Sequence, residues 1–106
     1  MQGVFDHMNA KILGGSIVVA TKNQVSCDLG GEVAILDITS GIYYGLNAVG
    51  ARIWHLIQTP ATVDEVCKTI LREYDVEAEH CHADTLALLE QLVAKGLVEI
   101  CYETAL

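Results

Sequence analysis

Short apolar runs separated by turn residues fill the first half of the chain and predict β-strands. Residues 16–20 and 24–27 are candidates for two of them, and the nearly continuous apolar run of residues 33–38 is the clearest strand. A turn follows at residues 39–41, where Gly41 can adopt the positive φ that a tight turn requires. Residues 42–46 then return antiparallel. The pattern predicts a meander of about three strands, with residues 42–46 last and at the edge.

The second half of the chain repeats apolar residues at helical spacing. A first helix is expected over residues 48–58, directly after Asn47, which is a favourable N-cap. A second helix begins after Thr62, which can form a capping box with Glu65. A third is expected over residues 79–95 and ends at Gly96. Its apolar positions cover a wider arc than those of an ordinary surface helix. Residues 97–102 alternate like a short final strand.

This order of elements predicts an α+β fold. We expect an N-terminal three-stranded antiparallel sheet packed on a three-helix winged helix-turn-helix, with a short C-terminal strand. A chain of 106 residues suits one domain. Residues 1–15 are expected to be a flexible N-terminal arm or a tag remnant, and residues 16–102 to form the domain.

Net charge limits the classes of partner. The chain has 14 acidic and 6 basic residues, for a formal charge of -8, which disfavours nucleic acid and anionic membranes. A winged-helix transcription regulator is therefore the weaker alternative, because the third helix also lacks the basic and amide side chains that read DNA. No secretory signal or membrane-length apolar run is visible. The four cysteines are accordingly expected to be reduced, in the cytoplasm.

Candidate catalytic or metal-binding chemistry is sparse. His80, Cys81 and His82 are zinc-ligand types. Adjacent side chains on a helix do not face each other, however, and no second cluster accompanies them. A cysteine–histidine nucleophile pair stays open, because such partners meet in space rather than in sequence. We expect no metal, no cofactor and no enzymatic activity.

The segment of residues 41–46 is the strongest candidate for binding. An edge strand exposes unpaired N–H and C=O groups, and this one carries neither charge nor proline to protect it. With the wide apolar arc of the third helix, it suits a peptide that binds by β-augmentation. Two alternatives stay open: the N-terminal arm covers the edge, or two copies pair there in a homodimer. Tyr43 and Tyr44 must point to opposite faces, and the register decides which one enters the core.

Several segments together resemble the PqqD-like family. They are GEVAIL (31–36), GIYYGLN (41–47), ARIW (51–54), TVDE (62–65), YDV (74–76), LLEQL (88–92) and GLV (96–98). The resemblance extends over residues 16–100. The G-x-Y-Y-x-L-N segment and the final L-x-x-L and G-L-V segments are specific in combination, although each alone is a weak signal.

The resemblance implies a RiPP recognition element, which is a non-catalytic domain that binds the leader of a ribosomally made precursor peptide. Such a domain presents the precursor to tailoring enzymes, among them a leader peptidase. In the family the leader adds to the third strand of the sheet, and its side chains enter a groove beside the third helix. Carried onto this sequence, the implied contacts are Gly41, Ile42, Tyr43, Tyr44, Gly45, Leu46, Leu86, Leu89, Glu90 and Val93.

The family has two main settings for a chain of this length. One is lasso-peptide biosynthesis, with a separate cysteine-protease partner, and the other is pyrroloquinoline quinone biosynthesis, with a radical SAM partner. The segments at residues 37–50 and 73–76 are more similar to the lasso type, which we favour. A PqqD-type chaperone of quinone biosynthesis is the alternative.

Overall fold

Six strands and three helices follow one another along residues 12–101, the part of the chain that the computed structural model describes. The helices are α1 (Ala48–Leu56), α2 (Val63–Glu73) and α3 (Ala78–Ala94). The strands are β1 (Ile17–Ala20), β2 (Gln24–Leu29), β3 (Glu32–Asp37), β4 (Tyr43–Leu46), β5 (Ala61–Thr62) and β6 (Val98–Cys101). Three helices with antiparallel strands confirm the α+β class.

Strands β2, β3 and β4 form an antiparallel meander, in that order across the sheet. Gly30 and Gly31 connect β2 to β3 with φ angles of 63° and 96°, the combination that a two-residue hairpin requires. Gly41, with φ 75°, turns the chain from β3 into β4. Within the described residues no strand pairs with the outer side of β4, so this strand is at the edge of its sheet.

The first predicted strand does not join this meander. Instead, β1 lies between β5 and β6 in a second antiparallel sheet. Val18 faces the core from β1, opposite Ile100 of β6. An apolar run of four residues shows that a strand is favourable but does not select its partner, and here the partner comes from the far end of the chain. The two residues of β5 are too few to give a periodic signal.

The packed domain begins before residue 16. Ile12 is 4% exposed and belongs to the hydrophobic core. The carbonyl oxygen of Gly14 accepts a hydrogen bond from the backbone N–H of Asp64 at 3.0 Å, which satisfies one of the free donors in the first turn of α2. Residues 12–15 are thus part of the fold, contrary to the predicted arm over residues 1–15. Residues 1–11 of that arm lie outside the described part.

Local capping signals position all three helices. The Asn47 side chain accepts from the backbone N–H of Gly50 at 3.0 Å, and Thr62 and Glu65 form the predicted capping box. At the end of α3, the N–H groups of Gly96 and Leu97 bond back to carbonyls of the last turns, which is a Schellman motif. None of the helices in residues 12–101 is long and apolar enough to cross a membrane.

An ion pair connects α1 to the end of α2. The Arg52 guanidinium donates two hydrogen bonds to the carboxylate of Glu73, at 2.7 and 2.8 Å. This bonding lowers the pKa of Glu73. The stabilisation is therefore present above the carboxyl's unfolded-state pKa and is lost as the pH falls through the lowered folded-state pKa. Because both side chains are more than a third exposed, the pair makes a modest contribution.

The core extends from the inner face of the meander across α1 to α2, α3 and the second sheet. Val33 and Ile35 of β3 point inward and are almost fully buried. Trp54 of α1 is the largest fully buried side chain, and its Nε1–H donates to Ser26 Oγ of β2 at 3.2 Å. One indole thus fills the core and also connects the helix to the far strand of the sheet.

We expect Trp54→Ala to lower the free energy of unfolding by about 3–5 kcal/mol, because it removes a large buried side chain and leaves a cavity. The control Ser26→Ala removes only the hydrogen-bond acceptor and should cost about 1 kcal/mol. Urea denaturation of both variants measures the difference. Equal small losses would contradict the position assigned to Trp54 in the core.

Candidate functional site

A groove of about 600 Å³ separates the end of β4 from α3. This volume is within the range of pockets that hold drug-sized ligands, so it can accommodate several side chains of a peptide. Val49 and Ile53 of α1 and Ile70 of α2 contribute apolar lining, and Leu88 lines the side formed by α3. The groove opens beside Gly45 and Leu46 of β4. It therefore places an apolar depression next to the edge of the meander.

The register between β3 and β4 shows which backbone groups of the edge are free. Asp37 donates its backbone N–H to the carbonyl of Ile42 at 2.9 Å, and Ile35 and Val33 stand opposite Tyr44 and Leu46. In an antiparallel ladder the hydrogen-bonded residues alternate along the strand. Ile42, Tyr44 and Leu46 therefore direct their backbone groups toward β3. Tyr43 and Gly45 direct theirs outward, where no partner lies among the described residues.

The two adjacent tyrosines take different positions. Tyr44 faces the helices, packs against the core, and has the Lys95 ammonium 5.3 Å from the centre of its ring. Tyr43 faces away from the helices and is 69% exposed. The strand register thus resolves the alternative that the sequence left open. Tyr44 lies on the helix-facing side of the sheet near Lys95, whereas Tyr43 lies on the outer face.

The helical residues expected from the resemblance do not line this groove. Leu89 is completely buried in the core, and Leu86 lines a separate depression between α2 and α3. Glu90 is exposed, Val93 packs against the core, and neither lines the groove beside β4. Their contact with a leader stays a prediction. Of the ten expected residues, Gly45 and Leu46 line the groove, and Tyr44, which packs against the core beside Lys95, does not.

Asp84 and Leu88 are two of the five α3 residues that line the groove, and sequence reasoning selected neither of them as a leader contact. The wide apolar arc of α3 is explained by three adjoining surfaces. A central stripe is buried in the core and consists of Cys81, Thr85, Leu89 and Leu92. Leu86 and Leu88 lie on either side of this stripe and border two different depressions. The spacing of four residues between Asp84 and Leu88 was the available signal, since it places them on one face.

Charge is distributed unevenly along the groove. Glu77, His80 and Asp84 line one end, beside Asn47. His80 Nδ1 lies 3.7 Å from a carboxylate oxygen of Glu77, with both side chains well exposed. Lys95, over the ring of Tyr44, is outside the groove lining. The charged side chains that line the groove are thus acidic, apart from His80, and the rest of the lining is mainly apolar.

The cysteines and histidines form no comparable site. Within residues 12–101 no three metal-binding side chains converge. Cys67 Sγ lies 3.8 Å from His82 Nδ1, the only approach to a thiol–imidazole pair in the described part. Burial raises the pKa of the Cys67 thiol, which is the reverse of the shift that activates a nucleophile. This pair therefore lacks the electrostatics of a reactive cysteine.

Comparison with known proteins identifies the family to which this architecture belongs. A family model described as coenzyme PQQ synthesis protein D (PqqD) matches residues 32–98, which include the edge strand and all three helices. The chain belongs to the PqqD family. Among curated proteins no significant match to this PqqD-family chain was found.

Three solved structures are similar to the PqqD-family chain. TbiB1, in complex with the TbiA(beta) leader peptide, is 33% identical over 76% of this chain and 94% of its own, with a TM-score of 0.71. A lasso peptide synthetase B1 complexed with the leader peptide is 23% identical over 77% and 96%, with a TM-score of 0.69. The PqqD truncation of Methylobacterium extorquens PqqCD, described as a stand-alone RiPP recognition element, is 17% identical over 83% and 94%, with a TM-score of 0.69. The last two establish the fold.

We expect Tyr44→Ala to destabilise the PqqD-family chain by about 1–3 kcal/mol, less than a fully buried aromatic would cost, because the ring is half-buried. Tyr43→Ala should change stability by less than about 0.5 kcal/mol, since its side chain is on the open face. Thermal melts of the two variants provide the comparison. A larger loss for Tyr43 would show that the register between β3 and β4 is different.

The thiols should also react in a definite order. Exposed Cys27 should be alkylated by iodoacetamide in the native protein, whereas Cys67 and Cys81 should react only after unfolding, because burial shields them and favours the unreactive thiol form of Cys67. Peptide mapping by mass spectrometry identifies the labelled sites. Preferential native labelling of Cys67 at neutral pH would instead indicate an activated nucleophile beside His82.

Proposed function

We propose that this chain is a non-catalytic RiPP recognition element of lasso-peptide biosynthesis, which binds the leader of a precursor peptide by β-strand addition. The observation that carries the proposal is the open edge of β4 beside an apolar groove. The 33% identity to TbiB1, a protein solved with a leader peptide, supports the same function.

The leader strand pairs with the outward backbone groups of Tyr43 and Gly45. These two residues offer two N–H donors and two C=O acceptors, and each net hydrogen bond contributes about 0.5–1.5 kcal/mol. Alternate leader side chains then enter the groove, where a fully buried apolar anchor adds about 1.5–3 kcal/mol. Ordering of a flexible peptide offsets much of this gain. The expected dissociation constant is therefore in the range of about nanomolar to low micromolar.

The binding surface consists of residues 41–46 together with the side of α3 that faces the groove. The geometry favours Asp84 and Leu88 as the helical contacts, while Leu86, Leu89, Glu90 and Val93 stay predictions from the resemblance. We interpret the three helices with β6 as a winged helix-turn-helix that supports the leader-binding edge rather than reading DNA. The charge of -8 supports this interpretation, because phosphate backbones require basic surfaces.

The bound leader holds the precursor for tailoring enzymes, in the first place the peptidase that removes the leader. The similarity of the segments at residues 37–50 and 73–76 to the lasso type supports the lasso setting over quinone-cofactor biosynthesis. A lasso peptide synthetase B1 complexed with the leader peptide is also among the solved structures that share this fold. Free cysteines at four positions suit a reducing compartment such as the cytoplasm.

Gly45→Pro should abolish strand addition while preserving the fold. Proline removes an N–H that points away from β3, so the ladder between β3 and β4 keeps its hydrogen bonds. The matched control is Gly45→Ala, because a Cβ at this position meets no atom within 4 Å. Fluorescence anisotropy with a labelled leader, taken from the precursor encoded beside this gene, should show affinity reduced more than about 30-fold for proline and little changed for alanine.

Circular dichroism of both variants checks that the fold is retained. If the native chain does not bind the leader below about 100 µM, or about −5.5 kcal/mol, the proposed function is wrong. If Gly45→Pro is folded and binds normally, the leader does not use this edge.

A further inference from the structure

Charged and apolar side chains follow one another beside the edge strand at definite distances. Lys95, at the C-cap of α3, and Asp84 are separated by eleven positions, or roughly 16 Å at 1.5 Å per residue. Leu88 lies between them, about 10 Å from Lys95 on the same scale. Leu88 and Asp84 line the groove, whereas Lys95 lies outside its lining, over the ring of Tyr44. A strand added to β4 therefore passes a cation outside the groove, then an apolar surface and then carboxylates.

A strand added to β4 samples these three regions in steps of two residues. Successive side chains alternate between faces, so only every second leader side chain enters the groove, at intervals of about 6.6 Å. A side chain opposite Tyr44 lies near Lys95, and the next groove-facing one lies opposite Leu46. The third, about 13 Å along, lies beyond the end of β4 near Asp84, within reach of a long side chain.

We propose that the groove selects leaders in which an apolar anchor is followed or preceded, two residues away, by a lysine or arginine. This inference rests on the proposed function and specifies its ligand class. The anchor lies opposite Leu46, against Leu88, and the cation lies on the Asn47 side, between Asp84 and Glu77.

The apolar lining and the carboxylates have different roles. Glu77 and Asp84 are both exposed, so an ion pair with either of them adds little affinity. Charged groups of this kind discriminate among partners more than they raise affinity. The groove thus obtains affinity from the anchor and selectivity, including the direction of the strand, from its acidic end.

A leader that runs parallel to β4 and one that runs antiparallel to it are predicted to differ in the order of their basic residue and apolar anchor. β4 runs from Tyr43 to Leu46, toward the acidic end. A leader that runs antiparallel to it meets the acidic end first and places its basic residue before the anchor, whereas a parallel leader places it after the anchor. Charge complementarity therefore couples the sequence order of the leader to its orientation on the edge.

A selection from displayed random twelve-residue peptides tests the proposal on the full chain. The native protein should enrich peptides with Lys or Arg two residues from a Leu, Ile, Phe or Tyr. Asp84→Lys should shift the enrichment to Asp or Glu at the same spacing. A labelled peptide from the native selection should bind this variant about 3–10-fold more weakly, as expected for a partly exposed ion pair that is reversed.

Glu99→Lys is the matched control, since it changes the net charge equally from an exposed site on β6 outside the groove. It should leave the selected pattern and the peptide's affinity unchanged. Enrichment of anchored peptides without any charge preference, or an equal response to both substitutions, overturns this inference and leaves leader binding intact. The proposed function itself fails if no peptide is enriched on the native chain and if Gly45→Pro does not differ from the native protein in the leader-binding measurement.

Discussion

The junction between β4 and α1 is the constraint on which the other features depend. Leu46 is buried as the last residue of the strand, and Asn47 already caps the helix through the backbone N–H of Gly50. No loop separates the two elements. Because α1 is fixed to the sheet by Trp54, the edge strand is held at both its inner face and its end. A rigid edge reduces the ordering that a peptide must impose when it binds.

The same junction creates the groove. The strand turns into α1 rather than packing along α3, so a gap is left between β4 and the third helix. Val49 and Ile53 of α1 and Ile70 near the end of α2 supply apolar lining of that gap. α3 is meanwhile fixed from behind by its central stripe, in which Leu89 is completely buried. The existence of the groove therefore follows from the way in which these elements connect.

Alternation along β4 divides the strand into two functional sets. The backbone groups of Tyr44 and Leu46 pair with β3, and their side chains pack against the core, so both residues have structural roles. Tyr43 and Gly45 have outward backbone groups, and their side-chain positions are on the open face. If a leader adds to this edge, as we propose, backbone pairing explains how one adaptor accepts different peptides, and the acidic lining of the groove accounts for the proposed preference among side chains.

The sequence by itself determined the elements whose signals are local. Capping residues, glycine turns and apolar periodicity located the three helices and the meander, because each of these depends on neighbours within a few residues. The edge position of β4 followed from its place at the end of the meander. The family was recognisable for the same reason, since its characteristic segments are the strand, the turn and the caps.

Only the tertiary structure decided the partners of distant segments. β1 pairs with β6, which is about eighty residues away, and a short apolar run does not encode that choice. The sequence also did not determine the register of β4 or the rotation of α3 about its axis. For α3, a wide apolar arc is compatible with several orientations. Packing fixed the rotation by burying Leu89, and this placed Asp84 and Leu88 in the lining of the groove beside the edge strand.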